Sequence, residues 1–224
     1  MKKSVLVLAS LMAALVAFYV WHTPFGGPLS DAEIDAFMTE QAEAVGTTWT
    51  DEDAFEAFLR EDDGRPFVMI NLMEYRGTAQ YPQGSELDAD LSGKEAGALY
   101  GQSVLPQLFL RGSYPVARAE RHNTIINSVG DTAGEFESFA MVRYRSRRDL
   151  IDMLGSDAFR AANDHKWASL ENTLVAPSDS APAFGFVGYI PWVLFVGIGI
   201  VLGFLARGWL AKRSSDSMPD KPAD

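Results

Sequence analysis

The strand-like run PFVMINLMEY holds one polar residue at odds with its neighbours, Asn71. A carboxamide inside an apolar strand is costly unless its donors and acceptors are met. Asn71 therefore either faces a ligand or is satisfied by the fold. Tyr100, Tyr144 and Arg145 are further candidates for a ligand pocket, because they fall on the helix and the strand that would border it. For Arg145 the plainer role is solvation or a salt bridge. Of the three histidines, His22 follows an apolar run, His122 ends a strand, and His165 lies among Ala158, Ala161 and Ala168, roughly opposite a Phe159, Trp167 and Leu170 stripe. His165 joins the pocket candidates. These residues bring hydrogen bonding and weak acid–base capacity, but no nucleophile paired with a base, so no catalytic residue is named. There is no H-x-x-x-H or H-E-x-x-H, and no carboxylate–histidine cluster, so no metal site is expected. G-x-S-x-G, a phosphate loop and a dinucleotide fingerprint are also missing. With no cysteine there is no disulfide, zinc knuckle, iron–sulfur site or thiol nucleophile.

The chain that must position these residues has 224 of them, with 19 Lys+Arg against 30 Asp+Glu and a net charge of −11. That length suits one domain with accessory segments. An acidic chain lacks the clustered cations that phosphate requires, so nucleic acid is not an expected partner. The charge is not spread evenly. Residues 31–63 contain twelve acids and a single base, Arg60, for a local charge of −11, and the remainder sums to zero.

Two apolar runs flank the middle of the chain. Ser4 to Trp21 is free of charge and preceded by Lys2 and Lys3; Phe184 to Ala206 is free of charge and followed by Arg207, Lys212 and Arg213. As helices both have lengths suited to a bilayer. The first run ends in Phe18, Tyr19, Val20 and Trp21 rather than in a small-x-small site, so it is expected to be an uncleaved anchor rather than a leader. Tyr189, Trp192 and Trp209 lie where interfacial aromatics belong. Cations at the outer ends of both runs put both termini in the cytoplasm and residues 22–183 outside, periplasmic in a bacterium. The expected location is thus the cell membrane, with lipid as a partner. Gly199 and Gly203 form a G-x-x-x-G step that would admit a close membrane-protein partner, or simply face lipid.

Between the runs, Ser30-Asp31-Ala32-Glu33 and Thr50-Asp51-Glu52-Asp53 read as capping boxes opening two acidic amphipathic helices, the first closed by Gly46 and the second stapled by Trp49. Their apolar faces hold Ile34, Phe37 and Met38, then Phe55, Phe58 and Leu59. Their acids are a solvated face, or they meet the basic group Arg143, Arg145, Arg147 and Arg148, in the same molecule or in a partner. After Gly64-Arg65-Pro66 come a strand, a polar loop, a helix from Lys94 to Leu110 containing Pro106, a strand YPVARAERH, a turn NSVGDTAGE and an alternating strand FESFAMVRYRS. In that last strand Phe139, Met141 and Arg143 face one side and Ala140, Val142 and Tyr144 the other. Ser146 and Ser156 then cap two helical pieces, and NTLVAP ends the domain as a strand. The order is β-α-β-β-α-β, which describes an α+β, ferredoxin-like sheet with both helices on one face and the other left to cover.

The strings GRPFVMINLMEYR, SGKEAGALYGQSVLPQLFLRGSYPV, VRYRSRRDLIDML and DAFRAANDHKWASLENTLVAP resemble the dimeric α/β-barrel superfamily. They are most similar to an uncharacterised branch related to antibiotic-biosynthesis monooxygenases. The resemblance covers about residues 64–177 and implies a homodimer whose two sheets close a barrel. The acidic helices are a candidate extension of it. The charge count reads residues 22–63 as a spacer or docking element before a domain at 64–178, and the flanking runs lie outside the usual domain. The resemblance implies no resident cofactor, although relatives that carry haem on a helical histidine make His165 the residue to test for one. Two functions follow. One is a tethered module binding a small apolar ligand or a membrane partner. The other is a cofactor-independent monooxygenase- or isomerase-like enzyme with Asn71, Tyr100, Tyr144 and His165 around its substrate.

Overall fold

The computed structural model describes residues 2–43, 51–82, 87, 90–122, 136–178 and 182–216. The expectations resting on Gly46, Trp49, Thr50 and the NSVGDTAGE turn fall outside them. Among the described residues the order is α1 (Lys2–His22), α2 (Asp31–Glu43), α3 (Glu52–Arg60), β1 (Phe67–Tyr75), α4 (Gly93–Leu110), β2 (Tyr114–Glu120), β3 (Ser138–Tyr144), α5 (Arg147–Leu154), α6 (Asp157–Ser169), β4 (Leu170–Ser178) and α7 (Pro182–Asp216). The protein is α+β. It divides into two compact units, Val20–Ser180 and the terminal segments Met1–Tyr19 with Ala181–Asp224.

Side-chain caps start the helices of the first unit. The Ser92 hydroxyl accepts from the Glu95 N–H at 3.3 Å while the Glu95 carboxylate accepts from the Ser92 N–H at 2.8 Å, which satisfies two otherwise orphaned donors. Ser30 and Glu33 repeat the arrangement at α2. Asp51, Ser146 and Ser156 cap α3, α5 and α6.

The four strands form one antiparallel sheet in the order β2-β3-β1-β4. Phe67 lies opposite Tyr144, and Asn71 lies between Ala140 and Val175. Alternation along β1 sends Phe67, Met69 and Asn71 to one face and Val68, Ile70 and Leu72 to the other. On the first face Phe67 and Met69 pack with Val104 and Leu108 of α4, Leu150, Met153 and Leu154 from α5, and Phe159 and Ala162 of α6. This is the helix side of the sheet. On the outer face Phe139 and Leu174 remain 37% and 46% exposed.

The acidic helices are not a detached spacer. Ile34, Phe37 and Leu59 lie in the same core as Phe67 and Met153, and Ile34 and Leu59 are almost wholly buried. Their apolar stripes needed a partner, and the helix side of the sheet supplies it. The globular unit therefore begins well before residue 64. Two of the four expected arginines meet the acids: Arg148 pairs with Glu33, and Arg147 lies 3.7 Å from Asp62 with its guanidinium 4.4 Å from the Phe58 ring centroid. Arg60, braced by Glu56 on its own helix, ties α3 to α2 through Asp31 at 3.1 Å and Asp35 at 2.6 Å.

Arg143 and Arg145 do something else. They hold the end of α1, whose last residues Val20, Trp21 and His22 belong to the Val20–Ser180 unit. Arg143 is buried and donates to the carbonyls of Gly112 at 3.0 Å and His22 at 3.1 Å, while Arg145 donates to the Trp21 carbonyl at 3.2 Å. The last carbonyls of a helix have no partner within it and carry its negative pole, so guanidinium groups suit them. The Trp21 indole stacks on Tyr114 at 5.9 Å and donates to the Phe109 carbonyl, and the His22 ring meets the Tyr114 hydroxyl at 3.1 Å. Gly112 makes this approach possible. Its φ is +67°, and a Cβ there would stand 2.0 Å from the Trp21 carbonyl oxygen.

Burial, with the Arg143 charge beside it, holds the His22 imidazole down at about 4 instead of its ordinary 6.5. The folded state thus favours neutral His22. Its contribution is whole above the ordinary value and is lost as the pH falls through about 4. We expect the stability of the full chain to decline across that window and a His22→Gln variant to decline less steeply. Thermal unfolding from pH 7 to 4 measures this, and parallel profiles for the two chains would contradict it.

In the other unit, α7 contains a segment long and apolar enough to cross a membrane, Trp192–Ala211, with mean hydropathy 2.1. It overlaps the 184–206 run marked in the sequence. Val193, Leu194, Val196, Phe204 and Leu205 on it are exposed, as lipid-facing residues would be. In α1 the described apolar segment, Ala9–His22, is shorter than a span. Tyr19 packs edge-on against Trp192 at 5.2 Å. The Gly199 and Gly203 step meets nothing: a Cβ at either would find no atom within 4 Å among the described residues.

Candidate functional site

Three polar side chains converge on the helix side of the sheet from separate elements. β3 presents Tyr144, whose ring stacks on Phe67 at 5.2 Å and 9°. α4 presents Tyr100, edge-on to Phe159 of α6 at 6.4 Å. α6 presents Lys166, with its amine 5.9 Å from the Tyr100 ring centroid and 5.0 Å from that of Trp167. All three are half-buried, and both tyrosines pack against the main core. Asn71 is on the same face of β1 as Phe67 and Met69. Its amide donates only a long 3.3 Å bond to the Met69 carbonyl, two residues back on its own strand.

Burial pushes the Tyr100 and Tyr144 phenols above their ordinary range, and the neighbouring Tyr100 adds to the effect at Tyr144. Both are therefore neutral hydroxyls, able to donate or accept. No described residue hydrogen-bonds either hydroxyl, and neither belongs to the buried polar atoms that are sealed off without a partner. Burial also lowers the Lys166 amine to about 8, where it still carries its charge near neutrality. The helix side of the sheet thus carries aromatic rings, two hydroxyls, a carboxamide and one cation. Among the described residues there is no group of His, Asp and Glu side chains placed to hold a metal ion.

Two candidates from the sequence lie elsewhere. Arg145 is bound to Asp149 four residues on, at 2.8 Å through Nε, and to the end of α1. His165, though next to Lys166, is engaged by the Tyr81 hydroxyl at 2.7 Å, with Tyr81 edge-on at 5.6 Å. Tyr81 lies beside a small separate cluster of Ala79, Ala96 and Ala168.

No protein-family model and no curated protein matches the chain. Solved structures do. The RPA0582 protein of unknown function from Rhodopseudomonas palustris is 22% identical, with a TM-score of 0.51 over 58% of this chain and 94% of its own. The methylated RPA0582 protein is 23% identical, with a TM-score of 0.52 over 61% of this chain and 96% of its own. At these identities the likeness shows the fold.

Sequence reasoning missed Lys166 and Tyr81. Lys166 sits in the polar string NDHKW between His165 and Trp167, where a lysine reads as surface. A signal was present in the neighbouring Trp167 and Ala168, which mark the turn of α6 that faces inward. For Tyr81, in a polar Gly/Pro loop, the sequence held none.

Proposed function

We propose that this protein is a membrane-anchored binding module that takes up a small apolar molecule on the helix side of its sheet. What carries the reading is the pair of protonated tyrosines, Tyr100 and Tyr144, whose hydroxyls no described residue pairs and whose rings lie among Phe67, Val142 and Phe159. Hydroxyls that the fold neither pairs nor seals off are open to a partner from outside. The strand order β2-β3-β1-β4, with α4 after β1 and α5–α6 after β3, supports a ferredoxin-like description. The exposed Phe139 and Leu174 on the outer face support a second copy packed there as a homodimer. Lys2 and Lys3 before one apolar run, and Arg207, Lys212 and Arg213 after the other, support two spans with both termini cytoplasmic and the globular unit outside.

The test uses the full chain in phosphatidylcholine nanodiscs, with empty nanodiscs as the blank and 2-naphthalenemethanol as a neutral apolar probe. Calorimetry is expected to show saturable binding, one probe per chain, with two chains per particle by light scattering. Asn71→Ala is expected to weaken the probe about five- to tenfold, the scale of one lost hydrogen bond. Binding no greater than the blank would overturn the proposal.

A further inference from the structure

Lys166 differs from the other cations of the globular unit. Among the described residues, Arg76, Arg111, Arg143, Arg145, Arg147 and Arg148 are also not fully exposed, and each is paired with a carboxylate or a carbonyl. Lys166 has neither. Its amine is instead set against the faces of Tyr100 and Trp167. A half-buried ammonium without an anion pays for lost hydration and recovers only part of it from aromatic rings. The natural complement is a negative charge brought in from outside.

We propose that Lys166 is the anion receptor of the helix-side site and that the molecule bound there is a small apolar acid. Its ionised carboxylate meets the Lys166 amine, and its apolar body lies along Tyr100 toward Tyr144. The inference rests on the binding function proposed above and narrows its ligand class. Tyr100 joins the two ends of the site: Lys166 lies against its ring, and Tyr100 packs against the same core as Tyr144. The lowered proton affinity of Lys166 agrees with an amine held without its counter-charge. A cationic molecule would be repelled, and a neutral one would leave the ammonium uncompensated.

The test compares 2-naphthoate with 2-naphthalenemethanol at pH 7 on the full chain in phosphatidylcholine nanodiscs. The native protein is expected to bind the acid about tenfold or more tightly than the alcohol, the scale of a charge-assisted hydrogen bond. Lys166→Met should bring the acid down to the level of the alcohol. Lys166→Arg should keep the preference. Equal binding of both probes by the native chain, or a preference that survives Lys166→Met, would overturn this inference while leaving the apolar site in place. Binding of neither probe would remove the site itself.

Discussion

An alanine at position 112 is expected to lower the thermal unfolding midpoint of the full chain by about 10 °C. Two effects add. Gly112 holds φ at +67°, where a side chain costs about 1–2 kcal/mol. Its Cβ would also stand 2.0 Å from the Trp21 carbonyl oxygen and 2.9 Å from the Arg145 Cδ, so the end of α1 must lift away. Lifting it breaks the Arg145 bond to Trp21 and the Trp21 bond to Phe109. The sum is about 3–5 kcal/mol, in the upper range for single substitutions. Serine at the same position should behave as alanine does, since it brings the same Cβ. An unchanged midpoint would show that the end of α1 is not held against Gly112.

Arg143→Met is expected to cost about 2–5 kcal/mol, judged from charged hydrogen bonds and stranded carbonyls. Methionine has a similar length and tolerates burial, so the volume is nearly kept. What goes is the fork that joins the carbonyls of Gly112 and His22. Lysine offers one point charge in place of a planar fork and should recover only part of the loss. Denaturant unfolding of the three chains gives the order: native, Arg143→Lys, Arg143→Met. If the methionine variant were as stable as the native chain, the guanidinium would be contributing no more than its volume. Arg143 donates to the Gly112 carbonyl itself and both residues hold the end of α1, so a double variant should lose less than the two single losses together.

Local signals carried much of this architecture. Alternation in SFAMVRY placed Arg143 with Phe139 and Met141 on one face of β3, and the structure agrees. Ser30, Ser146 and Ser156 mark their helix starts because a cap is decided within four residues. The partners of those elements were less legible. The stripe of Ile34, Phe37 and Leu59 shows that α2 and α3 must cover something, but not that they cover the core built around Phe67. Arg145 has its Asp149 partner four residues away, a spacing any helix would use, and the salt bridge weighed for it in the sequence is what forms. His165 finds Tyr81, 84 positions earlier, which no local pattern encodes. Lys166 was hardest: Trp167 and Ala168 mark its turn as inward, but that no carboxylate among the described residues pairs with it is a matter of space that a string does not record.

The strand pairing also has a consequence for how the protein is made. β1 is flanked by β3 and β4, and Val68 pairs with Ser178 at the far end of the unit. During synthesis β1 and β3 can pair early, but one edge of β1 stays bare until Leu170–Ser178 leaves the ribosome. A bare, largely apolar strand edge is a template for the wrong partner. The chain thus carries its greatest aggregation hazard late, in the interval just before α7 begins at Pro182. Closure of so distant a pair is slow compared with helix formation. Quality control that watches for unfinished sheets would act on this protein at that interval, whatever molecule the finished domain goes on to bind.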